Sequence, residues 1–153
     1  MHKHLRRLER VWVDSPVYFI TTCAHDRCRV LASPAVHRIL RSEWETALRR
    51  HHWHIGNYVI MPDHVHFFAA PDTEGIGLSD FMQSWKEWTS KRIVRSLSLE
   101  PPLWQPEFFD HLLRSEESYT KKWNYVRDNP VREKLVERAD DWPFSGCVEV
   151  LRM

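Results

Sequence analysis

The chain has 153 residues, a formal net charge of +1, 42% hydrophobic and 28% charged residues, which fits one globular domain with a core of ordinary size and excludes a fibrous or disordered chain. Its apolar runs are a few residues long, far short of the roughly 20 that cross a bilayer, and the basic start Met1-His2-Lys3-His4-Leu5-Arg6-Arg7 has no apolar stretch behind it, so no span or secretory leader is expected and a cytoplasmic location follows. Cys23, Cys28 and Cys147 are an odd set that suits reduced thiols, and neither a G-x-x-x-x-G-K-S/T loop nor a G-x-G-x-x-G turn is present, so nucleotide-driven chemistry is not expected.

Residues 17–24 are β-branched and aromatic and read as a strand. Ser33-Pro34 supplies an N-cap and a first-turn proline, and Val36, Ile39, Leu40, Trp44, Ala47 and Leu48 recur at helical steps to about His51. Residues 53–61 are β-rich, Pro62-Asp63 breaks the run, and residues 64–70 form a further strand, so the two make a hairpin. A loop over 71–77 leads to a helix capped by Ser79 and ending near Ser98, with Phe81, Met82, Trp85, Trp88, Ile93 and Val94 as its apolar positions. Trp85 and Trp88 are assigned to the core because they fall at helical spacing. After an irregular passage through Pro101-Pro102, residues 108–113 read as a short strand, and Ser115 opens a helix that Asn129-Pro130 stops. The order β-α-β-β-α-β-α predicts an α+β, ferredoxin-like sandwich with a mostly antiparallel central sheet flanked by helices. It is read as one domain over 1–153, with a basic N-terminal arm over 1–15 and a C-terminal tail over 131–153 packing on the core.

Two constellations carry chemistry. In a strand, side chains alternate faces, so His64 and His66 point the same way with Cα atoms roughly 6–7 Å apart, a spacing at which two imidazoles can grip one cation. The same pair is compatible with two solvated or hydrogen-bonded histidines. Tyr125 and Asn129, four residues apart, share one helix face and can address one site; alternatively Tyr125 packs an amphipathic face and Asn129 only ends the helix. Basic clusters at Lys3 to Arg10, Arg49-Arg50, Lys86 to Arg95 and Lys121-Lys122 make an anionic partner plausible despite the near-neutral total.

Taken in chain order, these segments resemble the single-tyrosine HUH transposases, and within them the REP-associated tyrosine transposase branch. Tyr58-Val59-Ile60-Met61-Pro62-Asp63-His64-Val65-His66 resembles the histidine-hydrophobic-histidine strand, Leu103-Trp104-Gln105-Pro106 with Phe109-Asp110-His111 the W-Q block, Tyr125-Val126-Arg127-Asp128-Asn129-Pro130-Val131 the tyrosine segment, and Asp141-Trp142-Pro143-Phe144-Ser145 the tail. Asp63 departs mildly from the asparagine often found there, leaving the ligands untouched. The resemblance implies the HUH endonuclease fold and an endonuclease and strand transferase, a transposase acting on single-stranded DNA at hairpin-forming repeats. Tyr125 would be the nucleophile, forming a 5′-phosphotyrosine, and His64, His66 and Asn129 would hold magnesium or manganese. Arg6, Arg7, Lys86, Lys91, Arg92 and Lys122 are expected to contact phosphates, and Trp104 and His111 to line the site. The branch implies a monomer with its site in cis, a dimer remaining possible. Two other readings stand beside this one: a domesticated, non-catalytic hairpin-binding protein of the same fold, and a zinc-dependent hydrolase built on the histidine strand.

Overall fold

The computed structural model describes residues 9–13 and 16–153; Arg6 and Arg7, expected at the DNA, lie outside the described residues. The first long strand, β2 (Val17–Cys23), follows the short β1 (Arg10–Trp12) and alternates its side chains between two cores. Ser33 then caps α1 (Pro34–Glu45), its Oγ accepting from the Val36 N–H at 3.3 Å. The single helix expected to His51 is instead two, α1 and α2 (Ala47–His51), divided at Thr46, whose hydroxyl turns back onto the carbonyls of Ser42 and Glu43.

Strands β3 (Trp53–Ile60) and β4 (His64–Pro71) form the expected antiparallel hairpin. A register shift between Ile55 and Tyr58 puts those two residues on the same face. Gly56 sits in this bulge because a Cβ there would lie 2.5 Å from the Tyr119 hydroxyl, which accepts from the Asn57 N–H and Nδ2, each at 3.1 Å.

Helix α3 (Leu78–Leu97) begins two residues earlier than expected: the extended Gly77, not Ser79, occupies the N-cap, and no side chain caps it. Phe81, Trp85, Thr89 and Ile93 form its buried stripe at steps of four. Trp88 misses that stripe and is 44% exposed, with the Arg50 guanidinium 4.5 Å from its ring centroid, so it is not core. Strand β5 (Phe109–Leu113) leads into α4 (Glu116–Arg127), which a reciprocal Ser115–Ser118 capping box opens. The chain does not stop at Asn129-Pro130. It breaks one residue earlier, at Asp128, and resumes as the short α5 (Asn129–Arg132), where proline is tolerated because its missing N–H would be unpaired in a first turn anyway. Strands β6 (Ser145–Cys147) and β7 (Val150–Arg152) complete the order.

The main sheet runs β5-β2-β4-β3-β6, with every neighbour antiparallel, and β1 pairs with β7 as a separate parallel ribbon. Without β6 this is the ferredoxin-like arrangement of the β-α-β-β-α-β unit. Helices α1 and α3 cover one face over a core that includes Trp44, Trp53, Phe67, Phe81 and Trp85. On the other face lies a smaller core of Phe19, Phe68, Tyr119, Val126 and Leu151, drawn from the sheet, α4 and β7. No helix among the described residues is long and apolar enough to cross a membrane.

Candidate metal and nucleophile site

Alternation along β4 sends Val65 and Phe67 into the larger core and His64, His66 and Phe68 toward the α4 face. The histidine rings stand 4.8 Å apart at an interplanar angle of 77°. Each Nδ1 is engaged from behind. His64 Nδ1 donates to Asp63 Oδ1 at 2.7 Å, and His66 Nδ1 meets the hydroxyl of Thr21, its register partner on β2, at 2.8 Å. In front, the Asn129 Nδ2 donates to His66 Nε2 at 3.2 Å and to His64 Nε2 at 3.5 Å. That network assigns the tautomer: with both Nε2 atoms accepting, the ring protons reside on Nδ1, and both Nε2 lone pairs point at one spot.

The electrostatic surroundings bear most strongly on His66. Burial, with the positive surroundings of His64, Lys122 and Arg132, pushes the His66 imidazole down to about 3, so it is neutral at physiological pH. Desolvation would raise the Asp63 carboxyl, but hydrogen bonds from His64 and from Arg27 Nε, the latter at 2.9 Å, outweigh it and hold the group below its ordinary range. Phe19 stacks on His66 with centroids 5.2 Å apart and closes its flank. Among the described residues no three His, Cys, Asp or Glu side chains are placed to share a metal. The third side chain here is an amide: Asn129 turns Nδ2 to the imidazoles and Oδ1 to Arg132, and a turn of the amide would present its oxygen beside the two Nε2 atoms, a donor set that suits a divalent cation.

Tyr125 lies near the end of α4 and is 62% exposed. The α4–α5 break at Asp128 separates it from Asn129, so the two do not share a continuous helix as their spacing suggested. Arg132 connects them. Its guanidinium carbon lies 3.9 Å from the Tyr125 ring centroid, and its Nη2 is 3.5 Å from Asn129 Oδ1. Sequence reasoning missed Arg132 and Thr21, and it treated Asp63 as incidental; only its place beside His64 pointed to Asp63.

The other expected DNA contacts divide. Lys122 and His111 line a groove of about 700 Å³ between β5 and α4, together with Arg114, Ser115, Lys121 and Tyr125. Lys86, Lys91 and Arg92 belong to α3 on the opposite face of the sheet and are not brought to the site. Lys86 clamps the carbonyls of Gln105, Pro106 and Glu107, Lys91 pairs with Glu87, and Arg92 pairs with Glu43. Trp104 does not line the site either. It is 5% exposed, packs 5.3 Å from the Trp85 ring and donates its Nε1–H to Thr89 Oγ1 at 2.9 Å, which makes it a core residue.

The chain is similar to known proteins over most of its length. The family described as IS200-like transposases matches residues 13–129, a span that contains both histidines, Tyr125 and Asn129. The REP-associated tyrosine transposase of Escherichia coli K12 is 28% identical over 137 residues, covering 89% of this chain and 79% of that protein. A Haemophilus influenzae Rd protein described as a candidate REP-associated tyrosine transposase is 25% identical over 146 residues, covering 90% and 82%. The solved structure of the REP-associated tyrosine transposase bound to a REP hairpin superposes with a TM-score of 0.69 at 24% identity, over 95% of this chain and 82% of that one, and so shares the fold. With most of its length matched, the chain belongs to the IS200-like transposase family.

Proposed function

We propose that this protein nicks and rejoins single-stranded DNA at hairpin-forming repeats, with Tyr125 as nucleophile and His64, His66 and Asn129 holding magnesium or manganese. The observation that carries the reading is the convergence of two rear-anchored imidazoles on one amide, with a solvent-facing tyrosine joined to that amide through Arg132. A divalent cation held there would polarise the scissile phosphate and offset charge developing on its oxygens. Oxygen ligands suit magnesium better than imidazoles do, which makes manganese an equally good occupant.

The exposed Tyr125 oxygen bonds to phosphorus while the bond from phosphorus to the 3′ oxygen breaks. The phenol gives up its proton, and the departing 3′ oxygen takes one up. One phosphoester replaces another, so the 5′-phosphotyrosine conserves the energy for rejoining and no nucleotide is consumed. The groove between β5 and α4, with Lys122, Arg114 and His111 on its walls and Tyr125 at its margin, is where the strand flanking the break would lie. That Arg132 touches Tyr125 and Asn129 of one chain supports a site assembled in cis by a monomer.

The test is a repeat-hairpin oligonucleotide incubated with the protein and manganese or magnesium, then resolved on a denaturing gel. The expected result is a covalent adduct and a free 3′-hydroxyl fragment, both absent for Tyr125→Phe. An adduct that persists in Tyr125→Phe would overturn the assigned nucleophile. Hairpin binding with no adduct in either metal would establish instead a non-catalytic DNA-binding protein of the same fold.

A further inference from the structure

Arg132 lies three residues beyond the part of the chain that the family match covers. It is exposed and pairs with no carboxylate among the described residues, in contrast to Arg27, Arg41, Arg50, Arg92 and Arg127, each of which has an acidic partner. An unpaired guanidinium on the surface would ordinarily extend into water. This one lies against the Tyr125 ring at 3.9 Å and directs Nη2 toward Asn129 Oδ1 at 3.5 Å. A planar guanidinium can stack on an aromatic face and still use its edge as a hydrogen-bonding fork, which an ammonium cannot do. Neither contact uses the full donor set of five N–H groups, so donors remain for an anion in front of the ring.

Resting on the nicking reading above, we propose that Arg132 is the positioning residue for the nucleophile: its face holds the Tyr125 ring and its remaining N–H groups take a non-bridging oxygen of the phosphate under attack. The short α5 explains how it can. The break at Asp128 redirects the chain, and a single further turn brings the guanidinium back over a tyrosine seven positions earlier. The positive charge then sits beside both the phenol oxygen as it loses its proton and the phosphoryl oxygens as the bond to phosphorus forms, where charge accumulates. The arginine belongs to the same chain as the tyrosine it holds, so the arrangement needs no second subunit.

The experiment compares the wild-type protein with Arg132→Ala, Arg132→Lys and Arg132→Gln under single turnover with saturating repeat-hairpin DNA and manganese, following the covalent adduct. Arg132→Ala should lower the rate on the order of 100-fold, the scale of losing one preorganised donor or misplacing a reacting group by about 1 Å, with a far smaller change in hairpin affinity. Arg132→Lys, which keeps charge without the planar face, should recover only part of the rate, and Arg132→Gln should stay slow. Millimolar free guanidinium should accelerate Arg132→Ala but not wild type. Undiminished adduct formation by Arg132→Ala overturns the proposal. So does a loss that is equal in Arg132→Lys and insensitive to guanidinium, since that pattern marks a structural role alone. Melting temperatures of the variants identify any loss due to unfolding, which the exposed position makes small. Wild-type adduct that disappears in Tyr125→Phe but forms at the wild-type rate in Arg132→Ala refutes the arginine's role only; no adduct from wild type refutes the nicking reading and the proposal together.

Discussion

Replacing Asp63 tests whether the histidine pair is a built cation site. Its Oδ1 accepts a hydrogen bond from His64 Nδ1 at 2.7 Å, which fixes the tautomer and the ring orientation that turn the Nε2 lone pair toward Asn129. Its side chain is 14% exposed, whereas its other partner, Arg27, is 54% exposed, so the bond to His64 is the one sheltered from water. Outer partners of ligating histidines typically contribute about 10–100-fold in metal affinity, or about 1.4–2.8 kcal/mol. Asp63→Asn keeps an acceptor oxygen and loses the charge that raises ligand basicity, so manganese affinity should fall by about tenfold, the low end of that range. Asp63→Ala removes the acceptor, frees the ring to rotate or change tautomer, and should cost about 100-fold, the high end. Titration with manganese at neutral pH, read as free ion by electron paramagnetic resonance and checked by calorimetry, measures both. The reasoning fails if Asp63→Ala binds manganese as tightly as wild type, or if Asp63→Asn is the weaker of the two.

Two further predictions concern stability. Because the fold holds the His66 imidazole near 3 against 6.5 in the unfolded chain, its contribution is present above about pH 6.5 and is lost as pH falls from there toward 3. Between those limits the slope is up to about 1.4 kcal/mol per pH unit. Urea unfolding of the metal-free protein should therefore lose stability more steeply below pH 6.5 than that of His66→Gln; parallel curves would refute this. Gly56→Ala places a methyl group 2.5 Å from the buried Tyr119 hydroxyl and should destabilise the fold by about 1–3 kcal/mol. Adding Tyr119→Phe should return part of that loss in a double-mutant cycle, and strict additivity of the two would show that the clash is not the cause.

Local order was legible in the sequence because local rules set it. Periodicity located β2, α1, the β3–β4 hairpin, α3, β5 and α4, Ser33 and Ser115 were read as helix starts, and the alternating pattern put His64 and His66 on one face. What failed depended on packing from afar. Trp88 and Trp104 exchange their expected places because burial is decided by which stripe of α3 meets the sheet and by which loop returns beneath it. Lys86, Lys91 and Arg92 were credited to DNA on charge alone, whereas the fold places them behind the sheet with partners of their own. The residues that gather at the histidine pair, Thr21 from β2 and Asn129 with Arg132 from beyond the Asp128 break, lie 45, 63 and 66 positions from His66 along the chain. Spacing rules do not reach that far: strand pairing brings Thr21 to His66, and packing of α4 on the open face of the sheet brings the other two. Sequence alone thus determined the class of fold and the shared facing of His64 and His66, because these follow from short-range periodicity, while resemblance to a family pointed to Tyr125 and Asn129. Their convergence, and the arginine that joins them, was decided by tertiary structure, because only long-range pairing and burial set distances between segments so far apart in the chain.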